Sequence, residues 1–131
     1  MRHKIYGKHL GRSKNERKAL FGSLIRSLIL SEKIETTEAK AKAVKGLVDK
    51  IINQAKSPNT RRLLGQFLTD KAITEKLIKE IVPRLKDRHS GYTSLVKLGK
   101  RLGDNAMMVR MSLLLEEPKP KPKTKTKKST A

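Results

Sequence analysis

Arg88-His89-Ser90-Gly91-Tyr92-Thr93-Ser94-Leu95-Val96-Lys97-Leu98 marks a change of hydrophobic period. Before it, apolar residues recur at helical spacing. After Gly91, Tyr92, Ser94, Val96 and Leu98 alternate with Thr93, Leu95 and Lys97. A period of two belongs to a strand, whose successive side chains point to opposite faces. A second alternating run, Met108 to Leu115, sets Val109, Met111 and Leu113 against Arg110, Ser112 and Leu114. The eight residues Gly99 to Ala106 join the two runs, which predicts an antiparallel hairpin. Helices upstream are expected to cover one face of a small sheet. The other face is left to meet RNA or a protein.

Upstream, Ser13 and Glu16 have capping-box spacing and open a first helix, in which Phe21, Leu24, Ile25 and Leu28 form an apolar stripe ending near Leu30. Lys33-Ile34-Glu35-Thr36 reads as a short strand. Thr37 is a suitable N-cap for a second helix, and Glu38 in its first turn suits the macrodipole. Val44, Leu47, Val48, Ile51, Ile52 and Ala55 give the clearest stripe in the chain, and Lys40, Lys42, Lys45, Lys50 and Lys56 decorate its other faces. Ser57-Pro58-Asn59 stops that helix. A short third helix is expected over Thr60 to Leu68. Arg61 and Arg62 would sit in its first turn, where cations oppose the dipole at a cost of about 0.3–1 kcal/mol. They are therefore candidates to face phosphate, or else two solvated arginines. A fourth helix, Lys71 to Lys86, would bury Ile73, Leu77, Ile78, Ile81, Val82 and Leu85, and Pro83 should kink or restart it.

The 131 residues suit one domain, and Lys plus Arg outnumber Asp plus Glu by 32 to 12, giving +20. A small domain needs a net charge of only ~2–8 for solubility, so the excess points to a polyanion. Removing the six lysines of Pro118 to Ala131 leaves +14 on the other 117 residues, so the folded part is basic by itself. Residues 1–12 read as a basic arm, 13–117 as one folded domain and 118–131 as a disordered Pro/Lys-rich tail. No stretch approaches the ~18 apolar residues of a membrane span. Met1-Arg2-His3-Lys4 lacks the apolar run of a secretory signal. Cysteine is absent, which excludes disulfides, a thiol nucleophile and Cys-based metal sites.

Chemistry finds no constellation. His3, His9 and His89 lack the spacing of a zinc site, and no Walker loop or nucleophile elbow occurs. Asp104, between Gly103 and Asn105, is read as a turn former. The expectation is therefore a non-enzyme with no cofactor. Tyr6, Phe21, Phe67 and Tyr92 are the only aromatics; the two phenylalanines read as core, so only Tyr92 on the strands could stack a base. Recognition is then expected through backbone and shape, which suits folded RNA, though composition does not separate RNA from DNA. Lys97, Lys100 and Arg101 flank Gly99 and Gly103 in the hairpin, where backbone and charge can approach a phosphate.

These residues resemble a known family. Met1-Arg2-His3 with Gly7, Leu10 and Arg12, then Thr36-Thr37-x-x-Lys40-Ala41-Lys42, then Arg61-Arg62-Leu63, resemble the bacterial-type large-subunit ribosomal protein seventeen family, also found in organelles. The most specific motif is Gly91-Tyr92-Thr93-Ser94-Leu95-Val96-Lys97-Leu98-Gly99 followed by Arg101-x-Gly103-Asp104-Asn105-Ala106. Ser90 stands where the family usually has a second glycine, and Met107 where a proline is common. The resemblance implies an α/β (α+β) fold in the order α-β-α-α-α-β-β, with a small three-stranded mixed sheet packed against helices in two layers. It implies a cytoplasmic ribosomal component, one copy per large subunit, bound to large-subunit (23S-type) rRNA near the nascent-chain exit tunnel beside other ribosomal proteins and away from any membrane. The RNA contacts it implies are Arg2, His3, Arg12, Lys40, Lys42, Arg61, Arg62, Lys97 and Arg101. Charge placement adds Lys4, Lys8, Arg17, Arg88 and Lys100. The tail is no family hallmark; it adds RNA adhesion or nothing measurable.

Three rival classes make different demands. A chromosome-organising DNA binder would usually be a dimer with long paired strands as wrapping arms. An RNA-modifying or RNA-cutting enzyme would need a His or Asp whose loss stops turnover without weakening binding. A basic surface-active protein would need an amphipathic helix able to act alone, and only the second helix comes near.

Overall fold

The computed structural model describes residues 7–115. The expectations for Arg2, His3, Lys4 and the tail at 118–131 lie outside the described residues. Helix α1 runs Lys14–Ser31. The capping box forms as its spacing predicts: Glu16 N–H donates to Ser13 Oγ at 3.4 Å, and Ser13 N–H to Glu16 Oε2 at 2.9 Å. The helix buries Gly22, Ile25, Leu28 and Ile29 and ends at Glu32, whose left-handed backbone (φ 62°) returns its N–H to the Leu28 carbonyl.

Strand β1, Lys33–Thr37, runs directly into helix α2, Glu38–Lys56. Thr37 occupies the N-cap position but makes no side-chain capping bond. It is the last residue of β1, paired opposite Met108. The expected stripe of α2 is the core: Ala41, Val44, Val48, Ile51, Ile52 and Ala55 are buried, with Leu47 half-buried at its edge.

The third helix differs from expectation. It is a 3-10 segment at Pro58–Gln66, not a helix from residue 60. Thr60 Oγ1 bonds the Gln54 carbonyl at 2.8 Å, which folds the segment tightly back on the end of α2. The fourth helix is also altered. Helix α3, Lys71–Lys76, gives way to a widened π turn at Leu77–Ile81 and a 3-10 turn at Val82–Leu85. Pro83 has no N–H to give and its ring crowds the carbonyl four residues earlier, so the irregularity spreads upstream of the proline. The apolar face survives, with Ile73, Leu77, Ile81 and Leu85 buried.

Strands β2, Thr93–Lys100, and β3, Met107–Leu113, form the predicted hairpin, with a six-residue connection at 101–106. The sheet order is β1-β3-β2. Both pairings are antiparallel, so the sheet is not mixed. β1 and β2 point the same way but never meet, because β3 lies between them. Leu98 is the extra residue of a bulge between Lys97 and Gly99. One sheet face packs Ile34, Leu95, Val109, Met111 and Leu113 toward α1 and α2, giving the expected two layers. On the other face, Arg110 Nη2 and Nε bind Glu35 Oε1 at 2.7 and 3.1 Å across β1 and β3.

Candidate nucleic-acid interface

The first turns of α2 gather cations from three parts of the chain. Glu38 Oε1 lies 2.6 Å from Lys42 Nζ, one helical turn on, and 3.8 Å from Lys97 Nζ on β2. The Lys42 hydrogen bond, with the charges of Lys42, Lys97 and Lys8, holds the Glu38 carboxyl below its ordinary range. Two cations thus share one carboxylate, with the charge of Lys8 acting on it from further away, and a positive excess remains. Solvent-exposed pairs of this kind are worth only about 0–1 kcal/mol, so the lysines can exchange them for phosphates at little cost. Lys40 and Lys42 flank the fully buried Ala41, each about 100° around the helix from it, so they present two separate directions. Among the described residues, Lys40 has no hydrogen bond or ion pair.

Residues 7–12, read as part of an arm, close a turn against α1. Arg12 N–H bonds the His9 carbonyl at 3.2 Å, while Leu10 and Gly11 adopt positive φ. Arg17 organises this turn from α1: its Nη1 reaches His9 Nδ1 at 3.2 Å, the His9 carbonyl at 3.4 Å and the Arg12 carbonyl at 3.1 Å. Arg17 is therefore in part a structural residue.

The hairpin tip is closed by an internal pair. Arg101 Nη2 and Nε bind Asp104 at 2.6 and 3.1 Å, and Ala106 N–H adds a bond to Asp104 Oδ1 at 3.3 Å. The Arg101 guanidinium and this N–H lower the Asp104 carboxyl to about 2. Asp104 shapes the turn, as its neighbours predict. Arg101 offers phosphate a partly neutralised charge. Lys100, exposed beside it, has no ion pair among the described residues.

At the far end of α2 the cations turn inward. Arg61 Nε donates to the Ala55 carbonyl at 3.0 Å. Its position is poor for its own segment but favourable for α2, whose negative dipole end it meets. Arg61 thus spends its Nε on the fold, whereas Arg62 is exposed and unpaired among the described residues. Sequence reading missed a further group: Asp49, Asn53 and Lys56, on one face of α2. Asp49 accepts the N–H groups of Gly91 and Tyr92 at 3.3 and 3.2 Å. Asn53 Nδ2 donates to the His89 carbonyl at 3.3 Å, and its Oδ1 accepts from the Tyr92 hydroxyl. Lys56 Nζ donates to the Leu85 carbonyl at 2.6 Å and to the Arg88 carbonyl, and lies 4.7 Å above the Tyr92 ring. Tyr92, expected on a strand, lies just before β2 and is 0% exposed, so it anchors the turn and cannot stack a base. Arg88 contributes its carbonyl here, with its side chain exposed.

The structure brings Lys8, Lys42 and Lys97 together, with Arg12 and Arg17 in the adjoining turn. Arg61, Arg62 and Arg88 lie near the other end of α2; 13 residues at 1.5 Å rise separate Lys42 from Ala55 by about 20 Å. Among the described residues no cluster of His, Asp and Glu could hold a metal ion, and no helix is long and apolar enough to cross a membrane.

The fold is a two-layer α+β domain with lysines along one helix edge and a hairpin that its own acids balance only in part. Comparison with known proteins narrows this. The family model "Ribosomal protein L17" matches residues 20–114, and the chain belongs to that family. It is 46% identical over 108 residues to the large ribosomal subunit protein bL17 of Thermodesulfovibrio yellowstonii, covering 81% of each chain. The protein of the same name from Amoebophilus asiaticus is 44% identical, over 87% of this chain and 60% of that one. That from Rubrobacter xylanophilus is 43% identical, over 87% and 96%.

Proposed function

We propose that this protein is a structural constituent of the large ribosomal subunit, bound to large-subunit (23S-type) rRNA near the nascent-chain exit tunnel. It acts in the cytoplasm as one copy per subunit, beside other ribosomal proteins, and supports assembly and translation with no chemistry of its own. The observation that carries this reading is the meeting of Lys42 and Lys97 on a single carboxylate in a chain of the L17 family. Lysines held by weak exposed pairs can neutralise phosphates and release counterions. Lys40, Lys100, Arg101, Arg12 and Arg17 extend that surface, and Arg62, Arg88 and the outer edge of Arg61 form a second contact along α2. In the same reading residues 1–12, with Arg2, His3 and Lys4, are an RNA-binding arm, 13–117 the folded domain and 118–131 a Pro/Lys-rich tail.

Sucrose-gradient sedimentation of a lysate after a high-salt wash tests the reading. Six to ten phosphate contacts alone lose ~10³–10⁵ in affinity between 50 and 200 mM salt, so a loosely held polycation is stripped. The protein is expected to stay with the large subunit. Release into the soluble or DNA-bound fraction would overturn the assignment and favour a general DNA binder.

A further inference from the structure

Beside the lysine cluster, the turn at 7–12 and the two long helices enclose a crevice of about 240 Å³ lined by Gly7, Lys8, His9, Arg17, Phe21, Ala43 and Leu47. Its composition is divided. Phe21, Ala43 and Leu47 are half-buried and form an apolar floor from α1 and α2. Lys8, His9 and Arg17 form a cationic and hydrogen-bonding rim. The volume is below the ~300–1,000 Å³ of sites for drug-sized ligands, which suits a single ring system. Arg17 is held in place by three contacts, all through Nη1, and among the described residues its Nε and Nη2 edge has no partner and can face an anion. Phe21 is one of two aromatics among the described residues that line a crevice with cations at its rim; Phe67 lines another with Lys18 and Arg26, where no arginine is held as Arg17 is, and Tyr92 is buried under the Lys56 clamp.

We propose that this crevice receives one unpaired nucleotide of the bound RNA, its base against Phe21, Ala43 and Leu47 and its phosphate on Arg17 and Lys8. The inference rests on the RNA-binding reading above and deepens it. Charge complementarity selects the occupant: an apolar floor alone would accept a protein side chain, but a floor ringed by Lys8, His9 and Arg17 fits a flat base attached to a phosphate. The occupancy is tolerant of sequence, because every base has a stacking face. It supplies what lysine contacts cannot, a preference for RNA with an extruded base over a continuous duplex.

The test uses the full chain and two RNA hairpins with the same stem, one fully paired and one with a single bulged 2-aminopurine. Binding is followed by anisotropy, and insertion by the 2-aminopurine fluorescence. The bulged hairpin is expected to bind about tenfold more tightly, toward the lower part of the range for stacking one base on an aromatic ring. In Ala43→Leu, which fills the crevice from a half-buried helix position, that gap should shrink below about twofold while affinity for the paired hairpin holds. Phe21→Leu, which keeps the floor apolar, should reduce the gap and abolish the fluorescence change. Equal binding of both hairpins by the unaltered protein, or a gap that survives Ala43→Leu, would overturn the proposal and leave the RNA-binding reading standing. Failure to bind either hairpin would overturn both.

Discussion

At the first turns of α2, Glu38 draws the exposed Lys42 and Lys97 to one half-buried carboxylate; at its last turns, Lys56 and Arg61 give their cationic heads to backbone carbonyls. The residue types are the same and the uses are opposite. At the first end the pairing is weak, solvated and exchangeable, and the cations outnumber the acid. At the second end the carbonyls of Ala55, Leu85 and Arg88 need donors, and the lysine and arginine supply them. A formal charge of +20 therefore overstates what a polyanion can use. The part that matters is the set of cations whose internal partners are weaker than phosphate.

The difference can be broken experimentally from its strongest side. Asp49→Ala leaves the N–H groups of Gly91 and Tyr92 without their acceptor beneath the buried Tyr92. It should cost about 2 kcal/mol of stability in urea unfolding, with no change in the salt dependence of RNA binding by the folded protein. Lys56→Met keeps the stem and removes the charge that serves two carbonyls. It should cost about 1–2 kcal/mol, again with an unchanged salt slope although one positive charge is gone. Lys42→Ala and Lys97→Ala should do the reverse. Each should shift stability by less than about 0.5 kcal/mol and lower the salt slope by about one.

The smallest effect belongs to the hairpin tip. Asp104 titrates at about 2 because Arg101 and the Ala106 N–H stabilise its charged form. A carboxyl depressed in the folded state adds stability that is present above its unfolded value near ~3.9 and is lost as pH falls toward its folded value. The contribution should therefore fade between about pH 4 and about pH 2. In Arg101→Ala, an NMR titration of Asp104 should move up toward the ordinary carboxylate range. An unmoved titration would mean that Arg101 does not hold the carboxyl in solution.

What the sequence made legible was local. Ser13 and Glu16 lie three residues apart, the stripe from Val44 to Ala55 lies within one helix, and the alternation after Gly91 lies within one hairpin. Each is decided by backbone geometry over a short span. Leu98, the bulge residue, breaks the alternation only at the end of its run. The sheet order was less legible, because β1 adds to β3 from more than 70 residues away. The candidate site divides in the same way. Lys42 and Lys97 could be singled out by motif and charge, but their meeting at Glu38 is a tertiary event. Asp49, Asn53 and Lys56 carry the i, i+4, i+7 spacing of one helix face, yet that face reads as solvated until the turn at 85–92 is laid on it. Arg61 looked misplaced because only its own segment was in view; its partner is the end of the preceding helix.

Lys42 and Lys97, near the start of α2, are assigned to rRNA, and Lys56, near its end, to the fold. The salt dependence of binding to large-subunit rRNA, compared for the unaltered protein, the Lys42→Ala/Lys97→Ala double variant and Lys56→Met, tests this assignment most directly. A slope lower by about two is expected in the double variant and an unchanged slope in Lys56→Met. Equal losses of slope in the two proteins, or no loss in the double variant, would contradict it.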